Sequence, residues 1–241
     1  MDRKVAVVIG AGDALGGAIA RRFARENLLV CVVRRNSDKL APLVDEIRAA
    51  GGAAEPFGVD ARKEDQMVDL LARIERDHGA IEVAVFNIGA NVSFGILETT
   101  ARVYFKVWEM ACFAGFLLGR EAARHMLPRG RGTILFTGAT ASLRGRANFS
   151  AFTGAKNALR ALAQSIAKEL GPKGIHVAHV VIDGAIDTAF IRDNFPERYA
   201  LKAQDGILNP EHIAENYVVL HRQPRDAWTF ELDLRPWTEG W

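Results

Sequence analysis

A glycine-rich turn after the first apolar segment has the clearest chemical meaning in this sequence. Residues 5–9 are wholly apolar, three glycines follow them closely, and a helical pattern begins at once. A strand that passes through such a turn into a helix leaves backbone N–H groups free to bind a pyrophosphate. A plain strand-to-helix turn that happens to be rich in glycine is the alternative. The predicted dinucleotide-binding residues of this turn are Gly10, Gly12, Asp13, Leu15 and Gly16, of which Gly12 and Gly16 allow the close approach of the pyrophosphate.

The end of the second predicted strand indicates which dinucleotide fits. Residues 29–33 are apolar and lead directly into Arg34 and Arg35, with no acidic residue at the tip. A carboxylate there binds the ribose 2′-hydroxyl, whereas a guanidinium accommodates a 2′-phosphate. Asp13 argues weakly for NAD, and solvated surface arginines are the alternative interpretation. The sequence therefore favours NADP, with NAD as the second possibility.

The order of the elements predicts an α/β fold. Short apolar runs alternate with helical patterns, the connections are short, and the strands show no polar alternation. These features are typical of a parallel sheet covered by helices on both faces. We predict one doubly wound, mostly parallel, seven-stranded sheet in a single domain over residues 1–241. Helices are expected at about 16–26, 38–50, 64–78, 151–170 and 210–222, and 99–127 is expected to hold one long helix or two abutting ones.

Composition excludes several other classes of protein. The chain has 241 residues, 49% of them hydrophobic, and a net charge of only +2, which argues against disorder. The 31 basic residues nearly balance the 29 acidic ones, so nucleic acid is not an expected partner. The longest apolar run, 110–119, is too short to cross a membrane. Two cysteines and a start without a secretory pattern favour a reducing, cytoplasmic location.

Further motifs, in their order along the chain, resemble those of the short-chain dehydrogenase/reductase family over essentially its whole length. Residues 10–16 are similar to the family's glycine turn, and 86–89 to its Asn-Asn-Ala-Gly segment. Residues 181–188 are similar to the segment that holds nicotinamide, with Asp183 in place of a proline. The resemblance implies a Rossmann-type fold that binds NAD(P). It also implies cofactor contacts at Asp60, Ala61, Asn87, Ile88, Gly89, Lys156, Gly184, Ile186 and Thr188.

The catalytic positions depart from the family pattern. Phe152 stands where the family's Tyr-x-x-x-Lys motif has tyrosine, although Lys156 is present. The family's serine lies thirteen positions before that tyrosine, which corresponds to Ala139 here, and its assisting asparagine maps near Cys112. Removing a general acid typically costs ~10²–10⁴-fold in rate, so the usual conversion of ketone and alcohol is not expected. The possible replacement hydroxyls close to the lost serine are Thr140 and Ser142.

Three functions are compatible with this pattern. The favoured one is an oxidoreductase that transfers hydride to or from a small organic substrate with non-standard proton transfer, for example by reducing an activated alkene. The second is a catalytically inactive dinucleotide-binding sensor or partner protein. The third is a non-redox transformation in the same pocket.

The remaining candidate residues are not expected to take part in catalysis. Cys112 is interpreted as a small buried hydrophobe rather than a nucleophile. His176 and His179 are three apart on a predicted strand and point to opposite faces, so we expect no catalytic metal. The family resemblance implies a homodimer or homotetramer and a substrate lid at about 188–208. A C-terminal strand and tail are expected at 229–241.

Overall fold

A computed structural model of the protein describes residues 4–240. Its sheet has seven strands in the order β3-β2-β1-β4-β5-β6-β7, and every neighbouring pair is parallel. The predicted doubly wound α/β fold is therefore confirmed. The strands are β1 (Lys4–Ile9), β2 (Leu29–Arg34), β3 (Ala53–Gly58), β4 (Ala80–Phe86), β5 (Gly132–Thr137), β6 (Ile175–Ile182) and β7 (Glu231–Leu234).

Helices cover both faces of this sheet. Helices α3, α5 and α6 pack on one face through residues such as Leu71, Leu117 and Leu159. Helices α1, α2 and α9 pack on the other, where Phe23 and Tyr217 are completely buried. The helices are α1 (Leu15–Ala24), α2 (Ala41–Ala49), α3 (Glu64–Asp77), α4 (Ala101–Trp108), α5 (Ala114–Met126), α6 (Ser150–Leu170), α7 (Ala189–Asn194), α8 (Pro196–Ala200) and α9 (Pro210–Arg222).

The strand order places a crevice at the carboxyl ends of the central strands. From β1 the chain builds the sheet outward through β2 and β3, then crosses back to place β4 on the other side of β1. Ile9 is in register with both Val33 and Phe86, so these three strands end together. In open α/β sheets, ligands bind where the strand order reverses in this way.

Three segments differ in detail from the sequence prediction. The segment 99–127, expected as one long helix or two abutting helices, is two helices, and a π-helical turn, Glu109–Phe113, joins them. The helix expected from 38 begins with a 3₁₀ turn, Ser37–Leu40, because Asn36 caps that turn through the amide of Asp38. The expected lid contains the short helices α7 and α8. No helix within residues 4–240 is long and apolar enough to cross a membrane.

Candidate active site

A cavity of about 1420 Å³ lies along the carboxyl edge of the sheet. Every residue that the sequence analysis assigned to cofactor binding lines it, together with Ala139, Thr140 and Phe152. The glycine turn, Arg34, Arg35, Ala139 and Phe152 therefore line one continuous cavity. The cofactor candidates on its wall are Gly10, Gly12, Asp13, Leu15, Gly16, Arg34, Arg35, Asp60, Ala61, Asn87, Ile88, Gly89, Lys156, Gly184, Ile186 and Thr188.

The glycine turn is built by close contacts between backbone atoms. Gly10 has φ +86°, and a Cβ atom there would lie 2.7 Å from the backbone oxygen of Asn87. A Cβ atom on Gly16 would overlap the carbonyl oxygen of Gly10. Ala14, which precedes α1, provides no side-chain cap, and the N–H of Gly17 donates to the Ala14 carbonyl oxygen, so the N–H groups of Leu15 and Gly16 are the ones left to face a ligand beside the cavity. This cradle fits the pyrophosphate of a dinucleotide.

Positive charge surrounds the end of the cavity that Arg34, Arg35 and Asp60 form. The Arg34 guanidinium donates to the carbonyl oxygen of Lys39 at 3.4 Å and lies close to Gly12. Asp60 accepts two hydrogen bonds from the Arg62 guanidinium, at 2.9 and 2.6 Å, which lower the pKa of its carboxyl group to about 2. Lys39 and Arg62 both line the cavity. Sequence reasoning missed these two residues because neither belongs to a motif.

Lys156 lines the same cavity, one helical turn after Phe152. Its ammonium group donates to the backbone oxygens of Thr137, at 2.9 Å, and Ile88, at 3.1 Å. Burial lowers the pKa of this amine to about 8. Burial also raises the pKa of the nearby Cys112 thiol to about 11, so the thiol stays protonated at neutral pH. Cys112 is not part of the cavity lining, which agrees with its interpretation as a buried hydrophobe.

The two candidate replacement hydroxyls do not serve the cavity equally. Thr140 lines it, but its hydroxyl donates to the Asp183 carboxylate at 2.7 Å. Ser142 is completely buried away from the cavity, and its Oγ accepts a hydrogen bond from the backbone N–H of Ala139 at 3.1 Å. In this structure the 3₁₀ turn Thr140–Ser142 folds Ser142 beneath the loop, so a catalytic role for its hydroxyl stays a prediction.

Asp183 anchors the substrate end although its side chain is completely buried. Both terminal nitrogens of Arg144 donate to it at 3.0 Å, and an Arg235 nitrogen lies 3.6 Å away. Arg144 also lines the cavity, so a buried carboxylate holds a cation at the substrate end. The sequence signal was an acidic residue directly after the apolar end of a strand, residues 180–182, and only the contacts of Asp183 in the fold show what it binds.

The two strand histidines have separate surroundings. His176 stacks on Trp228 at 4.9 Å and pairs with the backbone oxygen of Thr229. His179 is fully buried, and its Nδ1 lies 3.0 Å from Glu231. Burial lowers the pKa of His179 to about 4, so it is neutral at pH 7. Within residues 4–240, no group of three or more potential ligands is arranged to hold a metal ion.

Comparison with known proteins decides the family. The sequence pattern described as short chain dehydrogenase matches residues 4–198. The chain belongs to the short-chain dehydrogenase family. The crystal structure of a short-chain dehydrogenase from Rhodopseudomonas palustris is 50% identical, with a TM-score of 0.84, over 98% of this chain and 100% of that one.

Two further members of the short-chain dehydrogenase family are more distant in sequence. A metagenomic short-chain oxidoreductase, solved in complex with NADP, is 28% identical with a TM-score of 0.83 and covers 97% of each chain. A 3beta-hydroxysteroid dehydrogenase from Mediterraneibacter gnavus is 31% identical over 175 residues. That match covers 72% of this chain but only 63% of the relative.

Proposed function

We propose that this protein is an NAD(P)-dependent oxidoreductase that prefers NADP and transfers hydride to or from a small organic substrate without the family's usual tyrosine and serine. The observation that carries the proposal is the single cavity, which joins the glycine turn and Arg34 to Lys156, Ala139 and Phe152. Its cofactor end keeps binding groups, while its substrate end presents two side chains without an exchangeable proton. The relative that was solved with NADP supports the choice of cofactor.

The cofactor end divides the work of binding among distinct groups. The open N–H groups before α1 receive the pyrophosphate, and Arg34 and Arg35 receive the adenosine 2′-phosphate. Asp60, which Arg62 holds in its charged form, faces the adenine. Lys156 binds the nicotinamide ribose, and residues 184–188 hold the nicotinamide. When bound, the nicotinamide supplies or accepts the hydride.

Proton transfer must then differ from the family mechanism. Phe152 and Ala139 hold no proton to give, and the Thr140 proton is committed to Asp183. In the reduction of an activated alkene, hydride adds to carbon first, and the resulting enolate takes its proton afterwards. We propose that this proton comes from water in the cavity or from Lys156, whose pKa of about 8 suits a donor at neutral pH.

A protein that binds the dinucleotide without turnover is the second candidate. The observation that favours it is the engagement of Thr140 by Asp183, which commits the hydroxyl closest in sequence to Ala139. A sensor needs the cofactor end but gains nothing from a shaped substrate end. The aromatic lining of that end, formed by Phe149, Phe152, Phe190 and Phe195, therefore favours the enzyme.

A two-stage experiment separates the candidates. Fluorescence titration with NADPH and NADH should show binding of both, with NADPH tighter. A screen of enones and ketones, followed by nucleotide absorbance, should then show consumption of NADPH with enones and not with simple ketones. Tight binding without consumption across the screen would instead establish the sensor. Failure to bind either nucleotide would overturn both.

We also propose that the protein assembles as a homodimer or homotetramer and works in the cytoplasm. Tyr104, Phe105 and Phe116 on α4 and α5 are substantially exposed, and burial of such rings is a common reason for self-association. Light scattering coupled to size exclusion should give a mass of two or four chains. A monomer at micromolar concentration would contradict the assembly.

A further inference from the structure

We infer that the substrate end of the cavity takes an aromatic carboxylate, with the carboxylate held by Arg146 and the ring packed among phenylalanines. This inference rests on the proposed function and names the substrate class of the same site. The inference is based on the position of Arg146 beside an aromatic wall of the cavity.

The wall beyond Lys156 is aromatic. Phe149 and Phe152 line it from the loop before α6 and the first turn of that helix, and Phe190 and Phe195 line it from the opposite side. Phe190 and Phe195 are 61% and 48% exposed, and their rings meet edge to face at 5.9 Å. Two large exposed rings that face a cavity favour an apolar, ring-bearing ligand, since contact with it removes them from water.

Arg146 is the available cation beside that wall. Its guanidinium lies 5.5 Å from the centre of the Phe149 ring and lines the cavity. Within residues 4–240, no carboxylate lies within ion-pair distance of it. The other two arginines on this side have partners: Arg144 binds Asp183 at 3.0 Å, and Arg198 lies 3.5 Å from Glu239.

The loop that carries Arg146 is held in place before any ligand arrives. Arg144 ties its start to the buried Asp183, and the Asn148 carbonyl oxygen accepts a hydrogen bond from the Phe94 amide at 2.8 Å. The amide of Phe149 closes a turn on the carbonyl oxygen of Arg146 at 3.1 Å. Pre-organisation lowers the entropy cost of binding.

These features select a singly charged carboxylate. A guanidinium pairs with a carboxylate through two parallel hydrogen bonds, and it does so better than with a neutral amide oxygen. One available guanidinium matches one negative charge on the ligand. A second negative charge on the ligand would be repelled by Glu239, which lines the same cavity. A neutral aromatic ligand would gain the ring contacts but nothing from Arg146.

The test compares matched acids and amides. The probes are 1-naphthoate and trans-cinnamate against 1-naphthamide and cinnamamide, titrated by calorimetry into protein with and without saturating NADPH. We expect each acid to bind at least about ten-fold more tightly than its amide, since a hydrogen bond to a charged group is worth about one such factor or more. Arg146→Gln should abolish that preference and leave amide binding unchanged. Arg25→Gln, an exposed arginine outside the cavity, should keep it.

Two outcomes overturn the inference. One is equal affinity for acids and amides in the parent protein, and the other is an acid preference that survives Arg146→Gln. A separate NADPH titration reports on the proposed function. NADPH binding without acid preference sinks the substrate class alone, whereas acid preference without NADPH binding sinks the oxidoreductase and leaves the carboxylate site standing.

Discussion

Thr140 donates its hydroxyl proton to the fully buried carboxylate of Asp183 over 2.7 Å. Arg144 donates two further hydrogen bonds to the same carboxylate. A buried carboxylate is tolerated only when donors satisfy its oxygens, so Thr140 serves the loop more than the substrate. The hydroxyl closest in sequence to Ala139 therefore stabilises the loop through Asp183.

Removing this hydroxyl should cost stability. Thr140→Val keeps the shape of the side chain but leaves a buried carboxylate with one donor fewer, so the free energy of unfolding should fall by about 1.5 to 3 kcal/mol. Urea unfolding followed by circular dichroism measures the change. Thr153→Val is the matched control, because the buried Thr153 hydroxyl has no hydrogen-bond partner among the described residues. Equal losses in both variants would contradict the role of Thr140.

The preference for NADP should depend on the two arginines after β2. In the double variant Arg34→Ala/Arg35→Ala, NADPH affinity should fall about ten-fold or more, because the 2′-phosphate loses charged donors. NADH affinity should change little. Fluorescence titration gives both constants, and Arg25→Ala/Arg76→Ala, which removes two arginines outside the cavity, controls for net charge. A double variant that binds both nucleotides like the parent removes the basis for this preference.

Restoring the family's hydroxyls should create ketone reduction. Phe152 lies one helical turn before Lys156 and Ala139 lines the same wall, so Phe152→Tyr/Ala139→Ser places a proton donor beside the hydride. The rate of NADPH oxidation with ketones should rise by ~10²–10⁴-fold. Phe149→Tyr, which adds a phenol elsewhere on the wall, should not produce this gain. If the double variant folds and binds NADPH but reduces no ketone, the substrate end is shaped for different chemistry.

Acid should destabilise the protein through His179. Its pKa is about 4 in the folded chain and about 6.5 when unfolded, so the unfolded chain binds the proton first as pH falls. The associated stability is complete above pH 6.5 and is lost as pH falls towards 4, by about 3 kcal/mol in total.

The measurement is urea unfolding between pH 7 and 4. His179→Asn keeps a donor for Glu231 without a titrating ring, so its stability should fall less steeply over this range. His212→Asn, at an exposed position on α9, should follow the parent. Parallel curves for His179→Asn and the parent would show that another group governs the acid limb.

The course of the chain was predictable because it depends on local patterns. Apolar runs of strand length, helical spacing and the glycines at 10, 12 and 16 are readable residue by residue, and they led to the doubly wound sheet that the structure shows. The grouping of the residues predicted to bind the cofactor could be inferred for the same reason, since the carboxyl ends of parallel strands meet at one edge of the sheet. The prediction that Phe152 and Ala139 replace the family's tyrosine and serine also came from the sequence alone.

What a side chain does once it arrives there was decided only by tertiary structure. Thr140 and Ser142 are equally plausible hydroxyls in sequence. In the fold, however, Thr140 contacts Asp183, more than forty residues further along the chain, whereas Ser142 lies beneath the loop. Arg146 is one arginine among many until the fold sets it beside Phe149, where no carboxylate of the described residues lies within ion-pair distance. Such roles depend on which distant groups burial brings together, and no local spacing encodes that.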